Sequence, residues 1–141
     1  MSDPVSNRRP AVAAWNRLVR IYQGIDHLSE RHFKSMGLNT AWFDVLARVG
    51  AREGLTQGEL ADSLLVTKGN VSQLVSKLVA EGLLERHADG RSQRLHLSAR
   101  GRALADRAVP GQEALLAHSL RALSPEEQSQ LIRLLRKWEK P

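Results

Sequence analysis

Apolar side chains recur at helical spacing over most of this chain and alternate in one short stretch. Trp15, Leu18, Val19, Tyr22, Ile25 and Leu28 follow the helical period. They predict a long helix over residues 10–36, with Pro10 suited to its first turn and Gly37 to its stop. Asn39 or Thr40 can cap a second helix, which carries Trp42, Phe43, Leu46 and Val49 and ends near Gly54. Residues 1–9 are polar and are expected to fray.

Residues 56–98 change the rhythm. Thr56 with Glu59 is a capping-box pattern that opens a short third helix, with Leu60 and Leu64 facing inward. A fourth helix, capped by Thr67 and ending at Gly82, carries an apolar stripe of Val71, Leu74, Val75, Leu78 and Val79. Within a residue of Gly82 the period drops to two. Leu95 and Leu97 alternate with Arg94 and His96, and Asp89-Gly90 signals a hairpin turn. Two helices across a tight turn, followed by a hairpin, predict a winged helix-turn-helix.

Ser98 caps a fifth helix, in which Pro110-Gly111 predicts a break or kink. Ser124-Pro125-Glu126-Glu127 is a second capping signature, opening a last helix with Leu131, Leu134, Leu135 and Trp138 on one face. The expected fold is thus mainly α, with about six helices and a β-hairpin wing. It reads as a single domain over residues 10–141, with the winged unit over residues 39–98. The helices over 10–36 and 99–141 lie outside that unit. They need a covering surface; a second copy is the simplest, which reads them as a dimerisation region, and the plain alternative is that they fold back on their own domain.

Charge sharpens this picture. The chain has 21 basic and 15 acidic residues, a formal +6 at pH 7. Residues 83–107 hold six basic and three acidic side chains, as do residues 1–34. A basic focus on the hairpin points to an anionic partner, nucleic acid before a membrane surface. There is no cysteine, which excludes a disulfide framework, a thiol redox sensor and thiolate-bound metal. No apolar run approaches the ~18 residues of a membrane span, and the first residues lack an apolar signal core, so a cytoplasmic location is expected.

The face of the fourth helix opposite its apolar stripe carries Gly69, Gln73, Ser76 and Ala80, flanked by Asn70, Lys77 and Ser72. These side chains are short and hydrogen-bonding. Gln and Asn can pair adenine bidentately, and Ser serves a base or a phosphate. Lys68 suits a phosphate, and Gly69 leaves room for close approach. At the hairpin tip Arg91 is a candidate for a minor groove, with Asp89 placed to hold its guanidinium. Arg86 and Arg94 on the stems suit phosphates. The plain alternative is a solvated helix face and a structural wing. The helix pair beside a basic hairpin favours DNA. The aromatic side chains, Trp15, Tyr22, Phe33, Trp42, Phe43 and Trp138, all lie outside the hairpin, and a charged surface without stacking platforms favours duplex DNA over single strands or RNA.

The residues Thr67-Lys68-Gly69-Asn70-Val71-Ser72, the wing pattern Asp89-x-Arg91-x-x-x-Leu95-x-Leu97-Ser98, Phe43-Asp44-Val45-Leu46 and Gly101 resemble the MarR family of bacterial transcription regulators. The resemblance covers nearly the whole chain. It implies a homodimer with intertwined first and last helices and two recognition helices on a pseudo-palindromic operator. It also implies repression, released when a small aromatic or phenolic acid enters the cleft between the dimer and DNA-binding regions.

Candidate ligand residues near such a cleft are Trp15, Tyr22, Trp42 and Phe43, with Asp44, His27 and Arg17 as polar partners. Taken singly, each also suits plain core or interface. His27, His32, His87, His96 and His118 lack metal-ligand spacing, so no metal or other cofactor is expected. No nucleophile-elbow, phosphate-loop or dinucleotide motif appears, and no enzyme is expected. Rival readings are a ligand-independent activator or anti-repressor, and a winged-helix module that binds protein.

Overall fold

The computed structural model describes residues 8–64 and 69–140. Their order is α1 (Arg8–Lys34), α2 (Thr40–Ala51), β1 (Leu55–Thr56), α3 (Gln57–Ser63), α4 (Val71–Ala80), β2 (Leu84–Asp89), β3 (Ser92–Leu97), α5 (Ala99–Ser119) and α6 (Pro125–Glu139). Helix α1 takes in Arg8 and Arg9, which the sequence reading assigned to the polar tail.

Side-chain caps set most helix starts. The Asn39 side chain accepts from the Trp42 amide at 2.8 Å and opens α2. Thr56 and Glu59 form a complete capping box on α3, and Ser124 and Glu127 form another on α6. Each such cap satisfies amide groups that the helix itself leaves unpaired. Helix α4 starts later than expected. Asn70 caps it, accepting from the Gln73 amide at 3.1 Å, while the expected cap Thr67 lies outside the described residues.

Helix α2 is the hub of the core. Its Val45, Leu46 and Val49 are buried with Phe33 of α1, Leu60 of α3, Val75 and Leu78 of α4, and Leu84 and Leu95 of the hairpin. Fully burying one such side chain contributes about 1.5–3 kcal/mol. The Phe33 and Phe43 rings stack at 4.2 Å and fix α1 against α2. The hairpin is part of a three-stranded antiparallel sheet of order β1-β3-β2, in which Leu55 pairs with Leu95 and Leu84 with Leu97. The strand β1 was not foreseen, since two residues carry no readable period.

Two glycines permit close crossings. A Cβ on Gly101 would overlap the Leu83 carbonyl, whose oxygen accepts from the Ser98 amide at 3.1 Å. A Cβ on Gly111 would overlap the His32 ring, whose Nε2 donates to the Ala108 carbonyl at 3.0 Å. This second crossing explains a correction. Helix α5 runs unbroken through Pro110, so of the expected break or kink the break does not occur. Pro110 removes one amide donor, but it lies on the exposed side with Asp106, so water can reach the released carbonyl. Packing of α1 on α5 through His32 and Gly111 supports the same turn.

Gly101→Ala should destabilise the protein by at least the ~1–3 kcal/mol of an overpacked site, because the obstacle is backbone. Gly58→Ala, whose Cβ would meet only Thr56 Oγ1 at 4.0 Å, should gain about 0.5–1 kcal/mol from helix propensity. Denaturant titration of both variants tests the pair.

Candidate nucleic-acid interface

Helix α4 buries Val75 and Leu78 and half-buries Val71, Leu74 and Val79. That stripe turns Ser72, Gln73, Ser76 and Lys77 outward, and all of them are exposed. Gly69 precedes the helix with φ +115°, a conformation open to glycine. Asn70 is exposed, but its Oδ1 is taken by the helix cap, leaving the amide nitrogen as its outward group. Lys68 lies outside the described residues.

The hairpin sorts its arginines into different jobs. Arg94 Nε donates to Asp89 Oδ2 at 2.7 Å, and its Nη1 donates to the Gly54 carbonyl at 2.9 Å. The expected Asp89–Arg91 pairing is therefore corrected. In the hairpin register Asp89 opposes Ser92 and His87 opposes Arg94. Side chains alternate faces along a strand, so Asp89 and Arg94 are diagonal neighbours on one face. Arg91 sits in the turn beside Gly90, which takes φ +60°. It makes no hydrogen bond or ion pair with another described residue and is exposed. The Asp89 carboxylate, by hydrogen bond and then by charge, holds the Arg94 guanidinium above its already high ordinary pKa.

Arg86 and Ser76 also meet each other: Arg86 Nη2 donates to Ser76 Oγ at 2.9 Å. Both were expected at DNA, yet this bond ties the wing strand to α4. At the far end of α4, Ser98 Oγ donates to the Gly82 carbonyl at 2.6 Å and Arg100 Nη1 to the Glu81 carbonyl at 2.8 Å. Glu53, after α2, accepts from the Leu97 amide at 3.2 Å and pairs with His96 and Arg102. His96 stacks on His87 at 4.3 Å, and His87 contacts Glu85 at 3.0 Å. No sequence signal gave these cross-strand partners, because they depend on register.

A cavity of about 470 Å³ opens between α1, α2 and α5. Of the candidate ligand residues, Tyr22, Phe43 and Asp44 line it. Trp15 does not. It lies by Leu18, Leu135 and Trp138, between α1 and α6. Arg17 and His27 are exposed on other faces of α1, and Trp42 packs against the core. Asp26, Ser29, Arg48 and Gln112, not among those candidates, also line the cavity. Tyr22, Ile25, Asp26, Ser29 and Phe33 do share one helical face, a signal that was present in the sequence.

A helix with an exposed polar face, braced by a second helix and followed by a basic hairpin, has the architecture of a winged helix-turn-helix protein. The chain's relatives agree. Residues 36–95 match the MarR family model. An uncharacterized HTH-type transcriptional regulator of Bacillus cereus is 35% identical over 127 residues, 89% of this chain and 86% of the relative. The HTH-type regulator YkoM of Bacillus subtilis is 31% identical over 90% of this chain and 84% of its own length. The crystal structure of a MarR family transcriptional regulator from Silicibacter pomeroyi matches with a TM-score of 0.75 at 29% identity, covering 89% of this chain and 86% of that one. The chain belongs to the MarR family of DNA-binding transcription regulators, and it is not an enzyme. No helix among the described residues is long and apolar enough to cross a membrane.

Arg94→Ala should lower the melting temperature, because it frees Asp89 and the Gly54 carbonyl together. Arg91→Ala should leave melting unchanged. Equal melting of the two variants would contradict the division of roles. A second expectation concerns acid. Hydrogen bonds from Thr56 to the Glu59 carboxylate, its backbone amide first, hold the Glu59 pKa below the ordinary carboxylate value, with a further push from the Arg52 charge. A carboxylate depressed in the folded state stabilises above its unfolded pKa and loses that contribution as pH falls through the folded value. The stability gap between wild type and Glu59→Gln should therefore shrink as pH falls through and below the ordinary carboxylate range.

Proposed function

We propose that the protein is a homodimeric repressor that holds a pseudo-palindromic operator and releases it on binding a small aromatic ligand. In this reading Gln73, Ser72, Asn70 and Lys77 face the major groove, with Gly69 giving room for the approach. Lys68 meets a phosphate, and Arg91 enters the adjacent minor groove. Ser76, Arg86, Asp89 and Arg94 border the same surface, and their mutual bonds hold helix and wing in one orientation. The observation that carries the reading is the exposed Arg91 at the wing tip, without a hydrogen bond or ion pair among the described residues, beside an anchored arginine.

Dimerisation is supported by apolar surface left uncovered at both ends of the chain. Val12 is 57% exposed and Trp15 56% on α1, and Leu134 is 53% and Trp138 50% on α6. A monomer rarely leaves such a patch to water, and a second copy would cover it. Paired recognition helices would then meet half-sites about 34–36 Å apart. A ligand that favours a dimer geometry off that spacing releases DNA. A 100-fold loss of affinity needs about 2.7 kcal/mol of differential binding.

Arg91→Ala should cut affinity for a selected operator about tenfold or more, within the 1–3 kcal/mol of a good groove contact, while non-specific binding falls little. Fluorescence anisotropy on the operator and on scrambled duplex reads both. Wild-type operator affinity in Arg91→Ala would remove the wing from the interface.

A further inference from the structure

The cavity between α1, α2 and α5 has a charge balance of its own. Its charged lining side chains are Asp26, Asp44 and Arg48. Asp44 and Arg48 both come from α2. Asp26 comes from α1, is half-buried, and has no hydrogen bond or ion pair with another described residue. Asp26 therefore offers the cavity a carboxylate that no described side chain pairs. The cavity also holds an unmet acceptor. Gln112 Nε2 donates to Ser29 Oγ at 3.0 Å, while Gln112 Oε1 is buried without a partner. A buried polar atom without a partner is uncommon and costly in a folded protein, and a ligand donor would remove that cost. The remaining wall is apolar and aromatic, built on the stacked Phe33 and Phe43 rings.

An aromatic acid fits these features poorly. It would bring a second anion towards Asp26, and without a phenolic hydroxyl it offers no donor to Gln112. A protonated amine on an aromatic ring meets each of them: charge for Asp26, N–H for an acceptor, and a ring for the apolar wall. Aromatic faces also attract cations directly. The volume of about 470 Å³ suits a ligand of one or two rings.

We propose that this cavity takes a small aromatic ammonium compound, with Asp26 as its counter-charge and Gln112 as its hydrogen-bond acceptor. The inference rests on the ligand-responsive reading above, and it reverses the charge that the family resemblance implies for the effector.

The test uses three probes of one shape: 2-naphthylmethylamine, 2-naphthylmethanol and 2-naphthoate. Calorimetry on the free protein should rank the amine tightest and the acid weakest. Asp26→Asn should weaken the amine about tenfold and leave the alcohol unchanged, and Asp26→Glu should restore the amine. Unchanged melting of both variants keeps the comparison valid. Tighter binding of the acid, no binding of the amine, or amine binding indifferent to Asp26→Asn would overturn the inference. Operator release is measured separately on the same samples. If the amine binds as expected but operator affinity holds, the cavity chemistry stands and the effector reading fails.

Discussion

The crossing of Leu83 over Gly101 is the constraint on which the functional geometry depends. Leu83 follows the end of α4 and opens the wing; Gly101 lies in the first turn of α5. The Leu83 amide donates to Leu78 in α4, and its carbonyl accepts from Ser98 at the start of α5. Only glycine lets the α5 backbone approach that carbonyl so closely. Recognition helix, wing and the long fifth helix therefore meet at one backbone contact. Hydrogen bonds and close packing join the three elements there. In the proposed function, a ligand bound between α1, α2 and α5 would act on this junction.

The polar interactions around this crossing hold shape first and leave few groups for a partner. Ser98 caps α5 and also bonds to the Gly82 carbonyl, so one hydroxyl joins two helices. Arg94, Arg86 and Arg100 each bond to protein, to Asp89 and Gly54, to Ser76, and to Glu81. Each does a different structural job: Arg86 joins the wing to α4, Arg94 braces the wing on Gly54, and Arg100 ties α5 to the end of α4. The side chains left over, Arg91 at the tip and Ser72, Gln73 and Lys77 on the helix, form the outward surface. Positive net charge alone would have assigned every arginine to the phosphates.

Much of the fold was legible because caps and periods are local. Thr56 with Glu59, Ser98, and Ser124 with Glu127 mark helix starts within a few residues, and the stripe from Val71 to Val79 sets the buried face of α4. What escaped was set by contacts distant in sequence. Pro110 reads as a breaker locally, yet packing of His32 into the space at Gly111, 79 positions away in sequence, supports the helix there. Asp89 stands nearer Arg91 in sequence, but strand alternation gives it Arg94. The aromatics Trp15 and Trp42 invited a ligand role by residue type. The cavity instead follows the face through Tyr22, Asp26 and Ser29, with Gln112 arriving from α5.

The measurement that bears most directly on the central claim is selection of bound sequences from a random duplex library, followed by titration of the enriched site against salt. The account predicts an inverted repeat with half-site centres about one helical turn apart, and log affinity falling steeply and linearly with log salt. No enriched sequence, with only weak salt-sensitive binding, would contradict it and leave the wing as a charged surface without a reading function.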